Sequence, residues 1–582
     1  MLIALLTSWA LSLTFTTYLC HRFVKKETRQ KQNIVRRKIN RFFDSLTPVY
    51  EKALRQIMRA RIAFVVVILG LFLAGGWAMS LVPAKFFPDS DRAQILVYLD
   101  MPAGTSMRKT DATVQAISKN LDDKEHFPHI EKYAAYAGFG GPRFVLSLTP
   151  IDPEPSKAFF MIDVGERKFA DPTLKRVREM FAQDFPGVMG RVTKMFLGPS
   201  DSSLIEIQVK GPDSDYIYSV SDEIKTLLRN VDGTFDIKSD WENRITTLKL
   251  EVNQQNARRA GISSNDVAQA LETYFSGRII SEFREGDDIF PIVLRAQDRE
   301  RYDLDRINSV SIYSSARGVS VPLMQVAEIR YETQFARIAR ENLFRTVTVQ
   351  AKNQIMSAQS MVPLLEEKLA KIKEKLPPGY KIEYDGVIGD SAESQAAILA
   401  NLPLCIAIMV FIIIAQFRSY RATSIVFLTV PLIIIGAAFG LLVMQANFGF
   451  MVILGLYALA GIIINNAVIL IDRINIERKQ IEYSEQQTAE QSNQQNFEAV
   501  INASLRRLRP ILMSTCTTII GLMPLILSKD VLFYGQASTI AFGLAMGTIL
   551  TLGFVPVVYT FFFKIKPVKS DKHQTQRESE QA

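Results

Sequence analysis

The sequence predicts an α-helical polytopic membrane domain of seven transmembrane helices, carrying a large α+β exported insertion of split βαβ subdomains. Three observations lead there. Uncharged stretches long enough to cross a hydrocarbon core recur along the chain. Basic residues crowd the connections that would lie on one side of a membrane. Residues 85–393 instead alternate strand and helix signals. Composition agrees: 582 residues at 48% hydrophobic are too apolar for a wholly soluble chain, and 22% charged is too polar for a wholly membrane-embedded one. Three cysteines exclude a disulfide framework, and Cys20, Cys405 and Cys516 all lie in apolar runs, where they read as small lipid-buried residues.

The spans follow in order. Residues 1–20 form the first. They lack a basic region ahead of the apolar run, so they read as a span and not as a cleaved signal peptide, and the start resembles a chain beginning mid-protein. Residues 62–84 form the second, and 394–563 hold a five-helix bundle. Within it Ser394–Phe417 is one span. Ala422–Ile471 is too long for one crossing and folds into two at Gln445-Ala446-Asn447-Phe448-Gly449. Pro510–Ser528 is the sixth, and the seventh starts near Ser538.

Charge sets the orientation. Residues 21–61 carry 13 Lys/Arg against Glu27, Asp44 and Glu51, and read as a basic cytoplasmic loop. With alternating helices, Arg418, Arg421, Arg473, Arg478, the Arg506/Arg507/Arg509 cluster and the tail 564–582 fall on that same side. Residues 85–393 are then exported.

Within that region Ala93–Leu99 is a strand, followed by a helix to Leu121 with Thr105 or Ser106 at its N-cap. Leu204–Val209 leads to a helix over 216–231, Thr246–Val252 to a helix over 257–275, and Arg345–Lys352 to a helix over 357–375. Tyr380–Asp385 is a further strand. Gln208-Val209-Lys210-Gly211 and Gln350-Ala351-Lys352-Asn353 end corresponding strands, which points to an internal duplication of a split βαβ unit.

Particular residues narrow the reading. Phe86-Phe87-Pro88-Asp89 followed by Leu99-Asp100-Met101-Pro102-Ala103-Gly104-Thr105 resembles the junction after the seventh helix of resistance–nodulation–cell division (RND) efflux pumps. Gly461-Ile462-Ile463-Ile464-Asn465-Asn466-Ala467-Val468-Ile469-Leu470-Ile471-Asp472 resembles that family's tenth helix. Arg507-Leu508-Arg509-Pro510-Ile511-Leu512-Met513-Ser514 and Gly521-Leu522-Met523-Pro524-Leu525 resemble its eleventh. The likeness covers essentially all of residues 1–563. It implies a bacterial inner-membrane, multi-pass chain equivalent to the sixth helix onward of a twelve-helix permease. Its large periplasmic region would hold two porter subdomains, at 90–190 and at 191–240 plus 336–392, and a docking insertion near 241–335. The fourth helix, which bears the family's paired aspartates, is not in this sequence. The implied partners are an N-terminal half of the permease, two further copies in a homotrimer, a periplasmic adaptor protein, an outer-membrane channel and membrane lipid, with no nucleic acid and no cofactor.

Polar groups inside a bilayer are costly and invite a functional reading. Asn465 and Asp472 are seven residues apart and share a helix face, as do Arg507 and Ser514, and with Asp472 and Arg507 near the cytoplasmic boundary Asn465 and Ser514 each lie about 10 Å deeper. The family resemblance makes Asn465, Asn466, Arg507 and Ser514 a proton relay around carboxylates of the missing helix. Well-known multidrug pumps carry lysine where this chain has Asn465. An amide only hydrogen-bonds, so Asn465 and Asn466 would act together as donors. The competing reading is interhelical hydrogen-bonded glue. Gly436-Ala437-Ala438-Phe439-Gly440 and Gly543-Leu544-Ala545-Met546-Gly547 read as close-packing motifs.

Gly138, Phe139, Gly140 and Gly141, followed by Pro142, Arg143 and Phe144, form the second candidate site. The glycines free the backbone and the rings offer apolar area, and the resemblance makes this the loop between two substrate pockets. The alternative is an ordinary glycine turn. His126 and His129 read as polar surface and not as a metal pair. No nucleophile–base set, P-loop or dinucleotide fingerprint appears, so an enzyme is not expected. The leading expectation is a proton-driven permease half exporting hydrophobic or amphiphilic compounds. A non-transporting truncated remnant, and an RND relative moving lipids, metal ions or proteins, compete with it. The exported methionines (Met101, Met107, Met161, Met180, Met189, Met195, Met324, Met356 and Met361) are spread along the chain, which disfavours the metal reading.

Overall fold

The computed structural model describes residues 2–23, 34–88, 90–145, 148, 150–198, 201–297, 304–314, 316–481 and 489–566. Two compact units divide the chain, one of residues 1–88 and 390–582, the other of 89–389.

In the first unit, helices α1 (Leu2–Leu11) and α2 (Thr17–Phe23) are joined through a π-helical turn at Ser12–Thr16. Next come α3 (Ile34–Arg59) and α4 (Arg61–Ser80), then α12 (Gly386–Phe417), α13 (Tyr420–Leu428), α14 (Ile433–Val443), α15 (Phe450–Ile481), α16 (Ala489–Leu527) and α17 (Tyr534–Phe562). Among the described residues six helices are long and apolar enough to cross a membrane, α13 and α14 counting as one. The first expected span is helical but broken by the π turn. Residues 34–59, expected as part of a basic loop, are instead one amphipathic helix. Its Leu54 and Met58 are buried in the same core as Val500 and Val558, as spacing of three to four residues on one face requires. Arg55 forks onto Glu498 at 2.6 and 2.8 Å.

Helix α17 is the most buried of the six. A Cβ on Gly436 would stand 2.8 Å from the Gly543 Cα, and one on Gly440 2.5 Å from the Phe542 Cβ. The two small-residue motifs therefore pack α14 directly on α17, which only glycine allows at this separation. The turn expected at 445–449 lies between α14 and α15.

The second unit begins with β1 (Gln94–Asp100), α5 (Met107–Leu121), β2 (Lys132–Ala137), β3 (Lys157–Asp163), α6 (Ala170–Asp184) and β4 (Met189–Lys194). Ser106 holds the N-cap position of α5 without a side-chain bond, while the Thr105 hydroxyl donates to the Pro102 carbonyl. The antiparallel sheet runs β2-β3-β1-β4, with Val97 opposite Phe160 and Val192. One face of it buries Ile95, Val97, Leu99, Phe160 and Val192 against Val114, Ile117, Val177 and Phe181 of the two helices.

The same order then repeats: β5 (Leu204–Gly211), α7 (Ser214–Arg229), β6 (Thr234–Ser239), β14 (Phe344–Asn353), α11 (Ala358–Glu374) and β15 (Lys381–Asp385). In this second sheet β6 pairs β14, β14 pairs β5 and β5 pairs β15, with a short β13 (Arg340–Glu341) also on β14. Both sheets thus have strand order 2-3-1-4, the split βαβ arrangement that alternating strand and helix signals imply.

An insertion separates the second and third strands of the repeat. A nine-residue ladder of β7 (Arg244–Val252) and β12 (Ala327–Phe335) opens and closes it. Between them lie α8 (Gln254–Ala260), α9 (Ser264–Phe275), the hairpin β8 (Arg278–Glu285) and β9 (Asp288–Leu294), the hairpin β10 (Ser311–Ser314) and β11 (Val319–Pro322), and α10 (Leu323–Val326). The single helix expected over 257–275 is two. Gly261 ends α8 in the left-handed region at φ 69°, and Ser263 restarts the chain with a capping box to Asp266.

Candidate functional site

Helices α15 and α16 pack through Ala467, Leu470, Ile471 and Ile474 against Phe497, Val500, Ile501, Leu508 and Ile511. At one end Glu477 pairs with Arg506 at 3.1 Å, and Arg478 donates to Asn496 at 2.9 Å. Counted from the midpoint of these contacts, Asn465 and Ser514 both stand about 19 Å along their helices. Both are exposed, as are Gly461, Thr517 and Gly521. A Cβ on Gly461 or Gly521 would meet nothing within 4 Å. Small and polar residues are therefore uncovered on two adjacent helices, beside exposed Met513 and Ile520 on α16.

Asn466 lies elsewhere: one residue on, it is turned by about 100° and buried at 6% exposure, so the two amides do not share one face. Arg507 is half-buried, and among the described residues its Nε makes no hydrogen bond. Deeper in the bundle, Thr515 and Thr548 share a buried hydroxyl–hydroxyl bond of 3.0 Å between α16 and α17. That contact was not foreseen, because isolated threonines in apolar runs carry no signal of what they meet.

The glycine and phenylalanine segment prolongs β2. The Gly138 N–H donates to the Lys157 carbonyl at 2.7 Å, and the Glu154 N–H returns to the Gly138 carbonyl at 3.0 Å. Gly138 and Gly141 have φ of 70° and 73°. Phe139 is 37% exposed and meets Tyr136 edge-on at 5.5 Å, and Phe144 is 38% exposed. The loop beyond folds Leu148, Val145 and Ile151 onto the sheet face opposite the helices, around Leu96, Tyr98 and Phe159. The turn and its exposed rings therefore coexist. His126 lies 2.7 Å from Asp123 and His129 stacks on Phe169 at 3.8 Å, so the two histidines make separate contacts.

Next to this layer, a cavity of about 1050 Å³ opens between β1 and β4 of the first sheet and β6 of the second. Charged side chains hold its walls together. Asp100 accepts from Lys157 at 3.0 Å and from Lys238, and Lys157 also reaches Glu242. Burial pushes the Asp100 carboxyl up, but the Lys238 and Lys157 ammoniums outweigh it and hold the group down at about 2. Arg191 donates to Gln350 at 3.2 Å and lies over the Tyr98 ring at 4.5 Å, while Arg178 lies over Phe235 at 4.9 Å. Burial raises Asp240 to about 6. Arg191 could have been found from the alternation of β4, where Val192 faces the core and its neighbour must face away. Arg178 sits on an amphipathic helix and reads as solvated surface.

Residues 1–563 match the AcrB/AcrD/AcrF family. Protein HelA of Legionella pneumophila is 24% identical over 597 aligned positions, covering 99% of this chain and 54% of that protein. Two crystal forms of a heavy metal efflux pump share the fold, with TM-scores of 0.68 and 0.67 at 23% identity. In both, 89% of this chain and 52% of the other are covered. The chain spans about half the length of the relatives it matches. A whole-length family match on a multi-pass bundle joined to a doubled split-βαβ unit leads to one assignment: the chain belongs to the AcrB/AcrD/AcrF family of RND permeases.

Proposed function

We propose that this chain is the C-terminal half of a proton-driven efflux permease that exports hydrophobic or amphiphilic compounds. The uncovered face bearing Asn465 and Ser514 carries the proposal. Amides, hydroxyls and exposed glycines are poor lipid ligands but good helix-packing and hydrogen-bonding surface. Further helices, on this or another polypeptide, would seat there and bring the carboxylate that loads and releases a proton. Asn465, Arg507 and Ser514 would position that proton, since neither an amide nor a hydroxyl titrates near neutrality. The split-βαβ sheets would be the two porter subdomains, residues 241–335 the docking insertion, and residues 89–389 the periplasmic region of an inner-membrane protein. The hairpin of β8 and β9 is exposed along both strands and leaves uncovered the rings of Phe283 and Phe290 and most of the apolar side chains of β9, which supports a homotrimer in which a neighbouring copy covers it. An adaptor protein and an outer-membrane channel would complete the assembly.

A metal-ion reading has its own support in the structural relative, a heavy metal efflux pump, and in Met101 and Met189, which line the cavity. Export assays in a pump-deficient host separate these readings. This chain co-expressed with a segment supplying the preceding helices should restore export of amphiphilic dyes, and Asn465→Ala or Arg507→Ala should reduce it several-fold. Restoration of metal tolerance without dye export would favour the metal reading. Proton-dependent export by residues 1–582 alone would overturn the half-permease proposal.

A further inference from the structure

We propose that the cavity between the two sheets binds organic anions, with Arg178 and Arg191 clamping an anionic head group and the rings around them holding an apolar body. The inference rests on the efflux reading and names the substrate class of its porter region.

Three features of the cavity carry it. The first is charge. Among the described lining residues seven are basic and four acidic, so the space favours anions before any pairwise contact is counted. The second is availability. Lys157 and Lys238 are already committed to Asp100 and Glu242. Arg178 and Arg191 make no ion pair among the described residues. Each donates one hydrogen bond, Arg178 to the Val192 carbonyl at 2.9 Å and Arg191 to the Gln350 amide, although a guanidinium has five donors. Their Nε atoms are shielded from water and make no hydrogen bond. Burial lowers the proton affinity of Arg178, with no carboxylate close enough to offset it fully. Asp236, also in the lining, acts on both guanidiniums without forming an ion pair with either, so each still gains from an anion brought to it.

The third feature is the shape of the apolar surface. Tyr98 and Phe235 lie under the two guanidiniums, and Phe181 also lines the space. Planar cations backed by rings next to a roomy cleft suit a carboxylate or sulfonate attached to a flat apolar body. A bare metal cation would meet the wrong sign of charge here.

The test uses three fluorescent probes with one apolar body: 1-pyrenebutyrate, its uncharged alcohol, and a trimethylammonium analogue. Binding to the full chain in amphipol is read by fluorescence anisotropy, so no pumping is needed and failure of export leaves the result interpretable. The butyrate should bind at least ten-fold tighter than the alcohol, with the cation weakest. Arg191→Gln and Arg178→Gln should each weaken the butyrate several-fold and leave the alcohol unchanged. Lys371→Gln, on the far helix α11, should change neither. Circular dichroism checks that each variant is folded. For a glutamine variant that does not fold, Arg178→Lys or Arg191→Lys replaces it, and partial retention of butyrate affinity is expected. Equal affinity for butyrate and alcohol, tighter binding of the cation, or unchanged butyrate affinity in both arginine variants would overturn the proposal.

Discussion

Asp385 stands directly across the strand ladder from Glu206, and the residue after it, Gly386, opens the 32-residue helix α12. Gln350 donates to Glu206 and Gln208 to Asp385, each at 2.5 Å. Burial, then the facing Asp385 charge, pushes Glu206 up to about 7. A carboxyl raised in the folded state stabilises the fold fully below its unfolded value, and that contribution is lost as pH rises through the folded one. Asp240 acts in the same sense through about 6. Asp100, held at about 2, acts oppositely, and its contribution is lost only as pH falls toward that value. Stability of residues 89–389 should therefore be greatest near pH 4 and fall toward pH 8. Glu206→Gln should flatten the alkaline side by an amount of the order of 3 kcal/mol and change little at pH 4.5. Urea unfolding followed through the buried Trp241 measures this, and identical pH profiles for parent and variant would refute it.

Two glycines of the helical unit should respond in opposite ways. Gly436→Ala forces a methyl against the backbone of α17, at a cost of about 1–3 kcal/mol in a well-packed interior. Gly461→Ala meets nothing and should leave the melting temperature of this chain unchanged. If further helices seat on that surface, Gly461→Leu should abolish restored export while the chain itself stays as stable as its parent. Scanning calorimetry and the co-expression assay together decide the matter.

Phe139→Ala removes an exposed ring supported by Tyr136. In the restored pump, export of bulky apolar compounds should fall by about five-fold, the equivalent of roughly 1 kcal/mol of lost apolar contact. Small substrates should be less affected. An equal loss for both classes would reduce the segment to a turn.

Topology is open to direct labelling. In a background lacking Cys20, Cys405 and Cys516, cysteines placed in 34–59 or at 473–481 should be shielded from an impermeant reagent added outside spheroplasts. Those at exposed positions in 278–294 should react. Reaction in 34–59 from outside would reverse the orientation argued from charge.

The fold was legible where periodicity and punctuation were strong. The turn between α14 and α15, the strands β5 and β14 and the packing glycines all stand where the residues indicated. The π turn in the first span and the break at Gly261 were missed, since apolar runs hide helix irregularities and a single glycine within a helical pattern is ambiguous. Residues 34–59 read as a loop by their charge, whereas the spacing of Leu54 and Met58 on one face makes them an amphipathic helix. The membrane-site reading selected Asn465 and Ser514 by depth, which sequence gives, and joined Asn466 to them, which the structure places on a buried side of α15. The cavity was invisible for another reason: its walls come from β1, β4, α6 and β6, and no local pattern records which edges of two sheets will face each other.

The insertion leaves and re-enters the second sheet between β6 and β14, which are themselves adjacent antiparallel strands, and its two ends are zipped together by β7 and β12. The host sheet would see little difference between this module and a short hairpin turn. Such a junction behaves as a socket. Lineages can lengthen, trim or exchange what is plugged into it without re-deriving the sheet beneath, and an engineer can do the same with a reporter domain whose termini lie a strand's width apart.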